Sequence, residues 1–167
     1  MINFVLIVIL LVSLYTDLKN RKILNIVTLP GIVIGFMLNL YISGLEGFLF
    51  SGKGFLLGFG LFLIPFLRGG IGAGDVKLMA AIGAMKGATF VFHAFLYTAI
   101  IGGLISLFLI VKKMGLTQSF RYMFFTFALF GGNAGTIQQS SSKDMSFPYG
   151  IAICIGTIMA IKWGSLL

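Results

Sequence analysis

Two carboxylates stand at the edges of apolar segments. Asp17 follows sixteen uncharged residues, and Asp75 closes the run Gly69-Gly70-Ile71-Gly72-Ala73-Gly74. An acid at such an edge is costly to desolvate and is a functional candidate by default. Two carboxyl groups that share a poorly solvated site cannot easily both ionise, so their pKa values separate. One stays protonated and polarises a carbonyl, while the other takes a proton from water; the pair titrates as a unit. That is the division of labour in an aspartic protease. Each acid alone also has a plainer reading: Asp17 as a solvated loop residue beside Lys19 and Arg21, Asp75 as a helix N-cap after a glycine turn. The helix dipole separates them further, since Asp75 opens a helix and Asp17 closes one. The chemistry therefore requires that the elements between them bring both to one place.

Those elements are apolar. Of 167 residues, 59% are hydrophobic and 10% charged, and the mean hydropathy is +1.09. Soluble domains carry about 25% charged residues, so the composition is that of an integral membrane protein, with residues 1–167 read as one embedded domain. The net charge of +8 falls in short loops between apolar runs, the pattern of topology signals and contacts with anionic membrane lipids. No basic stripe is interleaved with aromatics, which excludes nucleic acid as a partner. Cys154 is the sole cysteine, so neither an intramolecular disulfide nor a Cys-x-x-Cys metal pair is available; it reads as a small packing residue. No metal and no cofactor is expected.

The expected fold is all-α, with about six transmembrane helices. Residues 1–15 form the first, a retained anchor with its N-terminus outside, since Lys19, Arg21 and Lys22 follow rather than precede it. Residues 23–45 form the second, bent at Pro30-Gly31. Residues 54–67 form a short third, which residues 47–52 extend. After Arg68 and the glycines, residues 76–85 make a brief fourth, interrupted at Lys86-Gly87, and residues 88–111 the fifth. Residues 122–130 suit an interfacial helix, residues 131–143 a loop, and residues 145–161 the last span, anchored by Lys162 and Trp163. This arrangement puts Lys19, Arg21, Lys22, Arg68, Lys77, Lys112, Lys113, Arg121 and Lys143 inside. Only Lys53, Lys86 and Lys162 of the twelve basic residues lie outside, in keeping with the positive-inside rule. Two crossings separate Asp17 from Asp75, so both fall on the cytoplasmic edge.

Gly72-Ala73-Gly74-Asp75-Val76-Lys77 resembles the GxGD motif of membrane aspartic proteases, specifically that of the type IV prepilin peptidase family. Asp17, Arg21, Ile23 and Asn25 resemble that family's first motif, and Pro148-Tyr149-Gly150-Ile151-Ala152 its last span's opening. The resemblance covers essentially the whole chain. It implies a membrane endopeptidase that removes the basic leader of type IV prepilin-like proteins at the cytoplasmic face of a bacterial or archaeal membrane. Asp17 and Asp75 would be the catalytic pair. Gly72, Gly74, Lys77, Arg21 and Asn25 would bind substrate or shape the site, with the glycines admitting an extended substrate backbone beside Asp75. Leu24 departs from the family's usual proline. The paired-cysteine domain of methylating long members is not matched, which implies a peptidase-only short form.

Other polar residues read more plainly. His93 is a packed neutral histidine rather than a proton relay, Glu46 a solvated loop residue, and Asp144 plain surface. Lys77 either steadies a carboxylate or snorkels outward. Gly102-Gly103, with Gly83 and Gly87, signal close helix packing. The alternative from another functional class is a small proton-coupled transporter or channel with the acids on an ion path. No internal repeat of the kind transporters often show is evident.

Overall fold

The structure, a computed structural model, describes residues 2–20, 23–114 and 149–164. The chain divides into two compact units, residues 1–102 with 148–167, and residues 103–147. Of the second, the described part is the helical stretch 103–114.

All described elements are helices: α1 (Ile2–Asn20), α2 (Asn25–Leu67), α3 (Ala73–Met114) and α4 (Tyr149–Trp163). Three of them, α1, α2 and α3, hold stretches long and apolar enough to cross a membrane. A straight helix of 43 residues would be about 64 Å long, and α2 is not straight. Gly44, at φ 59° and ψ −138°, leaves the helical region, in a conformation that side chains with a Cβ rarely adopt. The Asn39 amide then donates to Ser51 Oγ at 2.9 Å across twelve residues, which a straight helix would hold about 18 Å apart. The chain reverses at Gly44. It reverses again at Gly87 (φ 83°) in α3, where a Cβ placed on Gly58 would touch both the Met79 carbonyl and Val91.

Counting these reversals, the described residues form six helical segments: 2–20, 25–43, 45–67, 73–86, 88–114 and 149–163. Segments 25–43 and 73–86 run in the same direction, with Asn25 beside Lys77, Gly31 beside Ala81 and Gly35 beside Ala84 and Met85. Helix α1 runs opposite to 25–43, with Ile9 against Gly31, and α4 begins where α1 ends, Gly150 at Asp17. Helix α2 stops by a rule legible in the sequence. Gly69 takes φ 74°, its amide donates to Phe66 O and that of Gly70 to Pro65 O, a glycine-terminated helix end that satisfies the last carbonyls.

The packing differs from that of a soluble protein in what it leaves outside and in how much polar surface it encloses. Large apolar side chains such as Phe4, Ile26, Tyr41 and Leu45 face outward, while Ser13, Thr28, Asn39, Ser51, Thr98 and Thr157 are buried. In lipid nothing drives leucines inward, and helices associate through small residues that let backbones approach. Gly54 and Gly83 meet backbone to backbone, and each would drive a Cβ into the other's carbonyl. Segment 73–86 is the hub, with Leu78, Met79, Ala80, Ile82 and Ala84 all at 0% exposure.

The structure corrects several expectations. The first helix runs to Asn20 rather than ending near residue 15, so Asp17 lies within it. The third segment includes residues 47–52, as expected, and starts at residue 45, because the reversal falls at Gly44. Gly83 and Gly102 do pack closely, but Gly103 meets nothing within 4 Å. Arg21, the interfacial helix at 122–130, the loop at 131–143 and Asp144 lie outside the described residues.

Candidate active site

Asp75 sits in the first turn of α3. Its Oδ2 accepts a hydrogen bond from the Gly72 amide at 3.0 Å, while the Asp75 amide donates to Gly72 O at 3.1 Å. Gly72 is thus the residue that begins the helix, and Asp75 reaches back to it from the third position, one half of a capping box. Sequence reasoning put a cap here but on the wrong residue. A Cβ on Gly72 would stand 3.2 Å from Asp75 Oδ2, so glycine keeps that oxygen uncrowded.

Asp17 is held by a different helix. Its Oδ2 accepts from the Gly150 amide at 2.9 Å, and Gly150 lies in the first turn of α4, where backbone donors have no partner within the helix. A Cβ on Gly150 would lie 2.6 Å from that oxygen, which is why the position is bare. The dipole contrast expected from sequence therefore disappears. Asp17 lies near the C-terminal end of its own helix but faces the positive end of α4, and Asp75 faces that of α3.

Both acids are buried, Asp17 at 5% and Asp75 at 8% exposure, and they are close enough for their charges to interact. The two sequence motifs meet directly. Ile23 lies on Gly74, where a Cβ would be 2.8 Å from Ile23 Cβ, and Lys77 Nζ donates to Asn25 Oδ1 at 2.9 Å. The side of Gly74 that a Cβ would fill is taken by Ile23 of this chain. Asp17, Asp75, Gly72, Gly74, Lys77 and Asn25 come together.

Two residues belong to this cluster that sequence reasoning left out of the site, Tyr149 and Gly150. Tyr149 interacts electrostatically with Asp75, and its ring packs where a Cβ on Gly102 would come within 2.9 Å of the hydroxyl. The signal was present in the Pro148-Tyr149-Gly150 pattern, which was read only as the start of a span. His93 is elsewhere and half-buried, its Nδ1 bonded to Thr89 O of its own helix at 2.9 Å. Cys154 packs as expected, with Sγ donating to Leu10 O at 3.4 Å. Among the described residues, no three His, Cys, Asp or Glu side chains converge as a metal site would require.

The family model of the type IV leader peptidase family matches residues 4–107, which include both acids and both motifs around them. The chain belongs to the type IV leader peptidase family. It is a membrane protein and a leader-peptidase-like protease, and membership gives the transporter alternative no support. No curated protein and no solved structure matches it.

Proposed function

We propose that this leader-peptidase-like protein is an aspartic endopeptidase that cleaves the basic leader of type IV prepilin-like proteins, with Asp17 and Asp75 as its catalytic residues. The observation that supports the reading most is the convergence of two acids, 58 residues apart in the sequence, each on the positive end of a helix and each within reach of the other's charge.

The reaction begins with one carboxylate and one carboxylic acid. The carboxylate takes a proton from water as the water oxygen bonds to the scissile carbonyl carbon, and the acid protonates the carbonyl oxygen. In the second half, the newly protonated group gives its proton to the leaving nitrogen, the C–N bond breaks, and the other carboxylate recovers a proton from the diol. The pair ends in the protonation pattern it started from. Gly72 and Gly150 hold the acids, Lys77 and Asn25 tie the two motif segments, and Arg21 stands between Asp17 and Asn25 in the sequence.

The six segments would each cross the membrane in alternating directions, N-terminus outside, putting the site at the cytoplasmic face of a bacterial or archaeal membrane. The count of basic residues supports that orientation. A basic leader in the cytoplasm and an apolar segment in the lipid would then place the bond between them at the level of the acids.

The test is co-expression with a prepilin-like substrate. Asp17→Asn and Asp75→Asn each keep an oxygen that accepts the helix amide, so the fold survives, while processing falls at least about a thousandfold, as loss of acid–base chemistry demands. Continued processing by either variant would refute the assignment.

A further inference from the structure

A groove runs between α1 and segment 25–43. Phe4, Val8 and Val12 line it on α1, and Ile26, Pro30 and Ile34 on the facing segment. All ten residues that line it are apolar. The stretch from Phe4 to Val12 rises about 12 Å, as does that from Ile26 to Ile34. The groove encloses about 330 Å³. A helix of that length and 10 Å across would fill roughly three times as much, so the groove has the capacity of a hydrocarbon chain.

It opens away from the acids. Successive helical residues turn by about 100°, which puts Asp17 about 140° around α1 from Val12. Asn25, the partner of Lys77, lies about 140° around its helix from Pro30. A substrate segment seated in the groove would have α1 between itself and Asp17. Lys19 is placed differently. It lies in the last turn of α1, about two turns past Val12 and within about 20° of it around the helix. Its Nζ stands 5.8 Å from the centre of the exposed Tyr15 ring, so the side chain folds back along α1 toward the groove. The groove covers depths of about 10 to 22 Å below Lys19 along the helix axis. The hydrocarbon of one leaflet is about 15 Å deep, which sets the groove at the level of acyl chains and Lys19 at the level of headgroups.

We infer that this groove holds one acyl chain of an anionic phospholipid from the leaflet at the Lys19 end, with the lipid phosphate paired to Lys19. The apolar lining supplies close contacts for the methylenes, and the lysine attracts a negative headgroup. Bound there, the lipid seals the outer seam between the two helices that carry Asp17 and Asn25. The site does not rest on the peptidase reading.

The test is native mass spectrometry of the full chain in detergent, titrated with phosphatidylglycerol or phosphatidylcholine of identical acyl chains, beside kcat and KM on a prepilin-like substrate. Wild type should hold one phosphatidylglycerol about fivefold more tightly than phosphatidylcholine, the attraction of one lysine near the headgroups. Lys19→Gln should abolish that preference. Val8→Trp, and Val12→Phe as a smaller filler, should weaken both lipids at least about tenfold, the worth of two displaced methylenes. Leu11→Trp, at an exposed position that does not line the groove, should leave both affinities unchanged. Equal affinity for the two lipids in wild type overturns the phosphate pairing, as does a preference that survives Lys19→Gln. Fillers that bind lipid as Leu11→Trp does overturn the groove as the site. Unchanged lipid affinity with a raised KM in the fillers assigns the groove to the substrate's apolar segment instead.

Discussion

At the far end of segment 73–86, the Asn39 side-chain nitrogen lies within 3.2 Å of four oxygens, those of Gly35, Ser51, Ala84 and Met85. At the near end, Asp75 and Asp17 each take a backbone amide of a helix start. The ends share a part, since Lys86 Nζ donates to Asn3 Oδ1 and Lys77 Nζ to Asn25 Oδ1, both at 2.9 Å. They differ in what is buried. Ala84 and Met85 are among the last residues before the reversal at Gly87, so their carbonyls lack helical donors, and a neutral amide from another segment covers them. The near end buries two acids and places them on helix N-termini. A satisfied neutral network specifies a fold; a pair of neighbouring carboxyl groups holds proton-transfer capacity that the fold does not require.

The comparison is broken most severely at Gly150. Alanine there puts a Cβ 2.6 Å from Asp17 Oδ2, and the carboxylate must move. Displacements of about 1 Å in a catalytic group cost about a hundredfold in rate, so Gly150→Ala should lower kcat about that much while melting changes little. If the rate holds, Asp17 does not need the α4 amide. The far end should show the reverse. Asn39→Ala strips the cover from buried carbonyls and should cost about 2 kcal/mol of stability, measured by thermal melting, with kcat per folded molecule unchanged. A rate loss without a stability loss would mean that the two ends are coupled through segment 73–86.

Much of this arrangement was legible because glycine and charge punctuate the chain. Gly69 after Arg68, Lys86-Gly87 and the uncharged runs between them marked the segments within a few residues. Gly44 was harder, since Glu46 reads as a loop residue and drew the expected turn toward itself, whereas the reversal needed only a residue free to take positive φ. The extent of α1 was missed because a charge was read as a helix end. Asp17 stays helical because an amide from α4 receives it, and nothing local to residues 15–20 announces a partner 133 residues away. The pairing of the acids followed from counting crossings, but the roles of Gly72 and Gly74 did not. That these bare positions also meet this chain's own Asp75 and Ile23 is a tertiary fact.

The smallest effects separate the two lysine–asparagine pairs. Both are exposed hydrogen bonds, and exposed charged contacts stabilise by about 0.2–1 kcal/mol. Lys86 also stands 5.0 Å over the Phe90 ring, so Lys86→Met removes a modest contact at an end without acids; melting should fall slightly and kcat should not change. Lys77→Met acts where the Asp17 and Asp75 segments are tied together, and it also removes a cation two residues from Asp75. It should lower kcat several-fold for a comparable stability loss. Asn25→Ala should reproduce the part of that loss due to the tie and leave the part due to the charge. Equal kcat in Lys77→Met and Lys86→Met would reduce both lysines to surface fasteners and leave the distinction between the two ends resting on the carboxylates alone.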